Sequence, residues 1–136
     1  RTEGAASAMG SVSKGAAGEV LAARFLRDKG YEITDANFRC RFGEIDIIAR
    51  DGPYIVFVEV KTRRADAIYA PAEAVTREKQ RKLIKSAGYF LLGHPEEGQP
   101  RFDVIEVVTS PDDPLTAVEI RHLENAYGMD GLHGAF

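Results

Sequence analysis

The sequence has a single cysteine, Cys40, so no disulfide can form within the chain. Its three histidines, His94, His122 and His133, fall at no close ligand spacing with that thiol, which argues against a zinc site. No run approaches the roughly 18–20 uninterrupted apolar residues of a membrane span, and no charged-then-apolar leader opens the chain. The expected location is therefore the cytoplasm, with no membrane partner. A net basic charge is missing too: 18 Lys and Arg stand against 21 Asp and Glu, for −3 at pH 7. That balance argues against binding nucleic acid by bulk attraction alone. No internal repeat is visible. At 136 residues and 44% hydrophobic composition, the chain suits one domain with a proper core, and neither a fibrous nor a disordered protein.

The charge is unevenly spread. Residues 39–85 carry 11 basic against 7 acidic side chains, and the remainder 7 against 14. Such a basic island fits an anionic partner meeting one face, and it also fits an ordinary solvated surface.

Residues 1–14 (RTEGAASAMGSVSK) are rich in small side chains and have no apolar period, so they read as a flexible leader ahead of a domain over 15–136. From Gly15 to Lys29 the stripe Ala17, Val20, Leu21, Phe25 predicts a helix, and Gly30 suits its left-handed end. YEITDANFR, GEIDIIAR and YIVFVEVKTR follow as three strands, with Asp51-Gly52 the hairpin signal between the last two. After a polar segment containing Pro71, Thr76 caps a second helix whose core stripe is Leu83, Ile84, Ala87 and Leu91. RFDVIEVVTS and AVEIRHLENA, separated by PDDP, close the chain as two strands. The order α-β-β-β-α-β-β predicts an α/β or α+β domain, one sheet covered by helices.

Acids inside two of these apolar runs pose the functional question, because a buried charge is expensive unless it is paired or bound to a metal. With a two-residue Asp51-Gly52 loop, Arg50 pairs with Pro53, Asp46 lies opposite Phe57, and Glu44 lies opposite Glu59, all on one side of the sheet. Asp46 and Glu59 are then diagonal neighbours at roughly 7 Å, close enough to converge on one ion. An odd-length loop would separate them. A hard divalent ion such as Mg²⁺, held by one or two carboxylates and waters, would account for like charges side by side. A structural salt bridge on an exposed strand face is the alternative.

The segments GEVLAARFLRDKGYEI, NFRCRFGEIDIIAR and VFVEVKTR, followed by a helix carrying KQRKL, resemble the YraN-type family of predicted bacterial endonucleases. That family lies within the restriction-endonuclease-like PD-(D/E)xK superfamily. The resemblance spans about Gly15 to the last strand and implies a restriction-endonuclease-like core with a mixed central sheet flanked by helices. It implies Asp46, Glu59 and Lys61 as catalytic residues, with Asp46 and Glu59 holding Mg²⁺ (or Mn²⁺) and Lys61 beside the attacking water. Glu19 is implied as a further metal ligand, of the kind seen in archaeal Holliday-junction resolvases. Ile45 stands where the superfamily motif has its proline. Glu44 and Gln80 are candidates for supporting the site, Gln80 because an amide on the core-facing stripe is out of place. Arg63, Arg77, Lys79, Arg81 and Lys82 are candidates for holding nucleic acid. The implied activity is hydrolysis of DNA phosphodiesters, linear or branched, and a homodimer is one arrangement such an enzyme adopts to cut two strands. The competing reading is a non-catalytic nucleic-acid- or protein-binding module of the same fold.

Overall fold

The computed structural model describes residues 14–67, 75–95 and 98–128; of the expected leader over 1–14 all but Lys14, which begins a helix, lie outside the described residues, as do the segment around Pro71 and His133. Two helices and five strands follow in the expected order: α1 (Lys14–Asp28), β1 (Glu32–Cys40), β2 (Gly43–Asp51), β3 (Tyr54–Arg64), α2 (Arg77–Leu92), β4 (Gln99–Thr109) and β5 (Ala117–Tyr127). The strands form one mixed sheet in the order β1-β2-β3-β4-β5. Every neighbouring pair is antiparallel except β3 and β4, which are parallel because α2 carries the chain back between them.

Each helix covers one face of the sheet. Leu21, Ala22 and Leu26 of α1 pack on Ile47, Ala49, Val56, Val58, Ile105 and Val107. Leu83, Ile84, Ala87 and Phe90 of α2 pack on Ile45, Ile48, Ile55, Phe57 and Phe102 from the other side. Covered on both faces, the middle strands read as nearly continuous apolar runs, and polar residues there stand out. Among the described residues no helix is long and apolar enough to cross a membrane.

Local chemistry sets the helix ends. Thr76 accepts the Lys79 N–H at 3.1 Å and so caps α2. Gly30, at φ 97°, ends α1, and the Tyr31 N–H reaches back to the Leu26 carbonyl at 3.0 Å.

Two expectations need correction. The β2–β3 loop is Gly52-Pro53, with Asp51 paired to Tyr54, because Gly52 supplies the positive φ (58°) at the first turn position and Pro53 suits the second. The register therefore moves by one residue in each strand: Phe57 faces Ile48 rather than Asp46. The shift totals two residues, so the faces of the paired residues Ile47–Asp51 and Tyr54–Val58 are as expected. On α1 the buried stripe is Ala17, Leu21, Ala22 and Leu26, while Val20 is 39% exposed and Phe25 only half-buried. Small residues turn inward here because α1 lies very close to β3, and any Cβ on Gly18 would collide with the Thr62 side chain.

A buried polar network fastens the far end of the sheet. Asp103 accepts two bonds from Arg101 at 2.9 and 3.0 Å, contacts the His122 ring at 2.8 Å and accepts the Asn125 N–H at 2.9 Å. Burial alone would push its carboxyl up, yet these partners hold it below the usual carboxylate range. Arg101 also donates to the Tyr31 hydroxyl at 2.6 Å and to Asp51 at 2.9 Å, joining β4 to the end of α1 and to the β2–β3 hairpin.

Two of the helical glycines, Gly18 and Gly88, make a paired test of this packing. Gly88 of α2 has nothing within 4 Å of an added Cβ, so Gly88→Ala should raise stability by about 0.5–1 kcal/mol through helix propensity. Gly18→Ala should lower the melting temperature despite the same propensity gain. Thermal unfolding of both variants checks this; equal stabilisation by the two would contradict the close approach of α1.

Candidate functional site

The antiparallel ladder between β2 and β3 ends at Ile47 and Val58. Beyond that pair the Val60 N–H donates to the Asp46 carboxylate, at 2.8 Å from Oδ2. Ile45 and Ile47, two residues apart, belong to the cores on opposite faces, so strand alternation breaks at Asp46. This break lets one side chain sit between the two layers, within reach of Glu59 from the α2 face and of Glu19 from α1.

A cavity of about 240 Å³ opens there, lined by Gly43, Glu44, Asp46, Glu59, Lys79, Lys82 and Leu83. Glu59 has a side chain only 7% exposed and forms an ion pair of 3.1 Å with the Lys79 ammonium. Burial first, then the Glu59 charge, pushes the Asp46 carboxyl up to about 7, against the pull of the Val60 N–H. Glu19 is also raised, chiefly by burial, and it lies within hydrogen-bond reach of Asp46. The hydrogen bond between them favours the proton on Asp46 and the charge on Glu19. Among the described residues no three His, Cys, Asp or Glu side chains stand close enough to cage a metal without rearrangement.

The remaining sequence candidates divide by position. Glu44 lies on the cavity rim, exposed, with Arg39 at 3.5 Å. Lys61 is half-buried on the same strand face as Glu59 and is paired in register with Glu106 of β4. Lys82 lines the cavity, while Arg77 and Arg81 are exposed on α2. Arg63 is engaged elsewhere, donating to Glu106 at 3.0 Å. Gln80 is placed away from the cavity: its side-chain amide donates to the Val75 carbonyl at 2.9 Å and fixes the approach to α2. That bond explains the amide on the core-facing stripe.

Three features were not read from the sequence. Lys79 is in the cavity, on Glu59, as well as on the helix surface. Glu106 is a buried carboxylate between Arg63 and Arg121. Tyr127 of β5 stacks on Phe102 at 5.2 Å, and burial and the charges of Glu59, Asp103 and Asp46 raise its hydroxyl. Glu106 carries a signal that was available, an acid in an apolar run (RFDVIEVV), the same signal that marks β2 and β3. A larger open groove of about 500 Å³, lined by Tyr54, Gln99, Pro100, Arg101, Glu124 and Asn125, lies at the opposite end of β3. It is less suited to chemistry, since Arg101 is already bonded to Asp51, Tyr31 and Asp103.

The family model described as "Uncharacterised protein family UPF0102" matches residues 18–107. The chain belongs to UPF0102. A UPF0102 protein of Caldanaerobacter subterraneus subsp. tengcongensis is 46% identical over 83% of this chain and 93% of its own length. One from Symbiobacterium thermophilum is 49% identical over 83% and 94%, and one from Nocardia farcinica 52% identical over 71% and 77%. The UPF0102 match takes in Glu19, Asp46, Glu59, Lys61, Lys79 and Glu106 and stops before Tyr127.

The electrostatics give a pH signature. A carboxyl whose folded pKa is raised favours the folded state while protonated, below its unfolded value near 4, and that advantage is lost as pH rises through about 7. Asp46→Asn lacks this titration. Unfolding by urea from pH 4 to 8 should show the variant gaining on the parent, by on the order of 2 kcal/mol at pH 8 once solvent in the open cavity is allowed for. Parallel stability curves would contradict the raised Asp46.

Proposed function

We propose that this protein is a metal-dependent endonuclease that hydrolyses DNA phosphodiester bonds in the cytoplasm. The observation that carries the reading is the opened β2–β3 ladder, where Asp46 and Glu59 sit side by side in a cavity bordered by Lys79 and Lys82. The donor set fits a hard divalent ion: the oxygens are carboxylates, their mutual repulsion raises the Asp46 carboxyl to about 7, and Glu59 already draws in a cation, the Lys79 ammonium.

Asp46 and Glu59 would hold Mg²⁺ or Mn²⁺, with Glu19 as a further oxygen donor. Such an ion, when bound, polarises a scissile phosphate and lowers the pKa of an attacking water. The protein's own residues supply the rest. Val60 fixes the Asp46 carboxylate through its N–H, so the ligand cannot swing away from the strand. Lys61, two residues beyond Glu59 on the same face, stabilises charge developing on the phosphate or orients the water. Lys79 leaves Glu59 and meets the phosphate instead, while Lys82, Arg77 and Arg81 hold the backbone of the DNA without reading its sequence.

One observation favours a non-catalytic DNA- or protein-binding module: the Lys79–Glu59 pair satisfies both charges with no ion, and among the described residues no cage of three ligands is preformed. Against it, a module has no use for a second and third acid, Asp46 and Glu19, crowded on the same spot so that burial and like charge raise both carboxyls.

Incubation with linear, nicked, single-stranded and branched DNA decides between them. The parent should cut at least one of these in Mg²⁺ or Mn²⁺, and Asp46→Asn and Glu59→Gln should each lower the rate by about 100-fold or more while leaving DNA binding largely intact. Binding without cleavage by the parent, or cleavage at parental rates in both variants, would overturn the assignment.

A further inference from the structure

The β1–β2 turn, Arg41-Phe42, is closed by the Cys40–Gly43 pair and stands directly beside the carboxylate cavity, since Gly43 is part of its wall. Across from the turn lies Tyr89 of α2, 49% exposed although it is one of the largest apolar side chains of that helix. The Phe42 and Tyr89 rings are 6.3 Å apart at 67°, and the inner neighbour of Tyr89 is Phe38, at 6.5 Å and tilted by 36°. Phe38 in turn meets Phe90 of the core edge-on at 5.2 Å. Tyr89 and Phe42 are thus the outer end of an aromatic ladder whose inner end is locked into the fold, and their position does not depend on a partner.

Cations border these rings. The Arg41 guanidinium lies 5.0 Å from the Phe42 ring centre. Lys85 is exposed one turn before Tyr89, and Lys82, one turn earlier again, both lines the carboxylate cavity and reaches solvent. Half-exposed aromatic faces, bordered by positive charge and next to the carboxylate cavity, match a strand whose bases are free to stack while its phosphates are neutralised. The bases of an intact duplex stack on each other and present only their edges, so they cannot use such a platform. Neither does a plain docking site for an apolar protein face need the cations.

We infer that Phe42 and Tyr89 form a stacking platform for an unpaired base next to the cleavage site, so that the substrate is DNA with a single-stranded segment. This rests on the endonuclease reading and narrows it: frayed, flapped or branched ends would be engaged in preference to blunt duplex.

The test is binding, not cleavage. Fluorescence anisotropy in EDTA would compare a labelled single strand, a splayed-arm duplex and a blunt duplex of equal length, using the parent, Tyr89→Ala and Tyr89→Phe. A 2-aminopurine placed in the single strand reports stacking directly. The parent should bind the single strand and splayed arm more tightly than the blunt duplex and quench 2-aminopurine. Tyr89→Ala should lose roughly 5- to 100-fold on the first two, keep its duplex affinity and quench little, and Tyr89→Phe should behave as the parent. Tyr89→Leu, which keeps an apolar cover over Phe38, separates loss of stacking from loss of packing and should behave as Tyr89→Ala. Parental binding and quenching in Tyr89→Ala, or an equal loss on blunt duplex, would overturn the platform and leave the endonuclease reading standing. A parent that binds none of the three DNAs would remove both. Sedimentation velocity showing a parental dimer that Tyr89→Ala dissolves would overturn the platform in favour of a second copy of the chain.

Discussion

Where the β2–β3 ladder stops, the Val60 N–H still needs an acceptor, because a buried backbone donor left unpaired costs about 1–3 kcal/mol. The Asp46 carboxylate provides it at 2.8 Å. This bond lets the two central strands part without an orphaned donor, and it anchors an acid at the parting. Everything else at the site answers the presence of that acid. Glu59, on the α2 face, and Glu19, arriving from α1, add like charge at close range. The fold tolerates them through an Asp46 carboxyl raised to about 7, which lessens its charge near neutral pH, and an ammonium placed on Glu59.

Both helices are positioned to serve this junction. Gly18 lets α1 come close enough to β3 that the next residue, Glu19, reaches Asp46 through the gap. Thr76 starts α2 one turn before the sheet edge of the cavity, which sets Lys79 in the first turn, over Glu59. Removing the lysine would leave a carboxylate buried and unpaired; offering a divalent ion would make the lysine dispensable there. Under the proposed function, a cation exchange of this kind would turn a stable resting pair into a site for metal and phosphate together. At the other end of the sheet the Arg101–Asp103–His122 network shows the contrasting solution, in which every charge already has its partners.

Much of the architecture is legible in the sequence because local chemistry sets it. The Thr76 cap, the left-handed Gly30 and the apolar runs of β2, β3 and β4 each correspond to an element found in place. The face of Glu59 follows from strand periodicity, which survives the register shift that Gly52-Pro53 imposes. The rotation of α1 is not legible: it comes from the contact of Gly18 with Thr62, a tertiary approach that no helical period encodes. The same is true of the breaks in pattern that make the site. Ile45 and Ile47 turn to opposite faces only because the sheet opens between them, and Lys79 reads as a surface charge until α2 is laid over Glu59. Gln80 illustrates the opposite error, an amide that looks functional on a helical wheel and proves to hold the Val75 carbonyl.

If Lys79 keeps the place of a cation on Asp46 and Glu59, a divalent ion should bind there in its stead. Titrating Mn²⁺ into ¹⁵N-labelled protein and following amide line-broadening tests it without any substrate, since the paramagnetic ion erases signals closest to where it binds. The account predicts that Val60 and Glu59 broaden first and together, and that Glu59→Gln abolishes the effect at those amides. Broadening confined to other surface acids, or unchanged in Glu59→Gln, would contradict it.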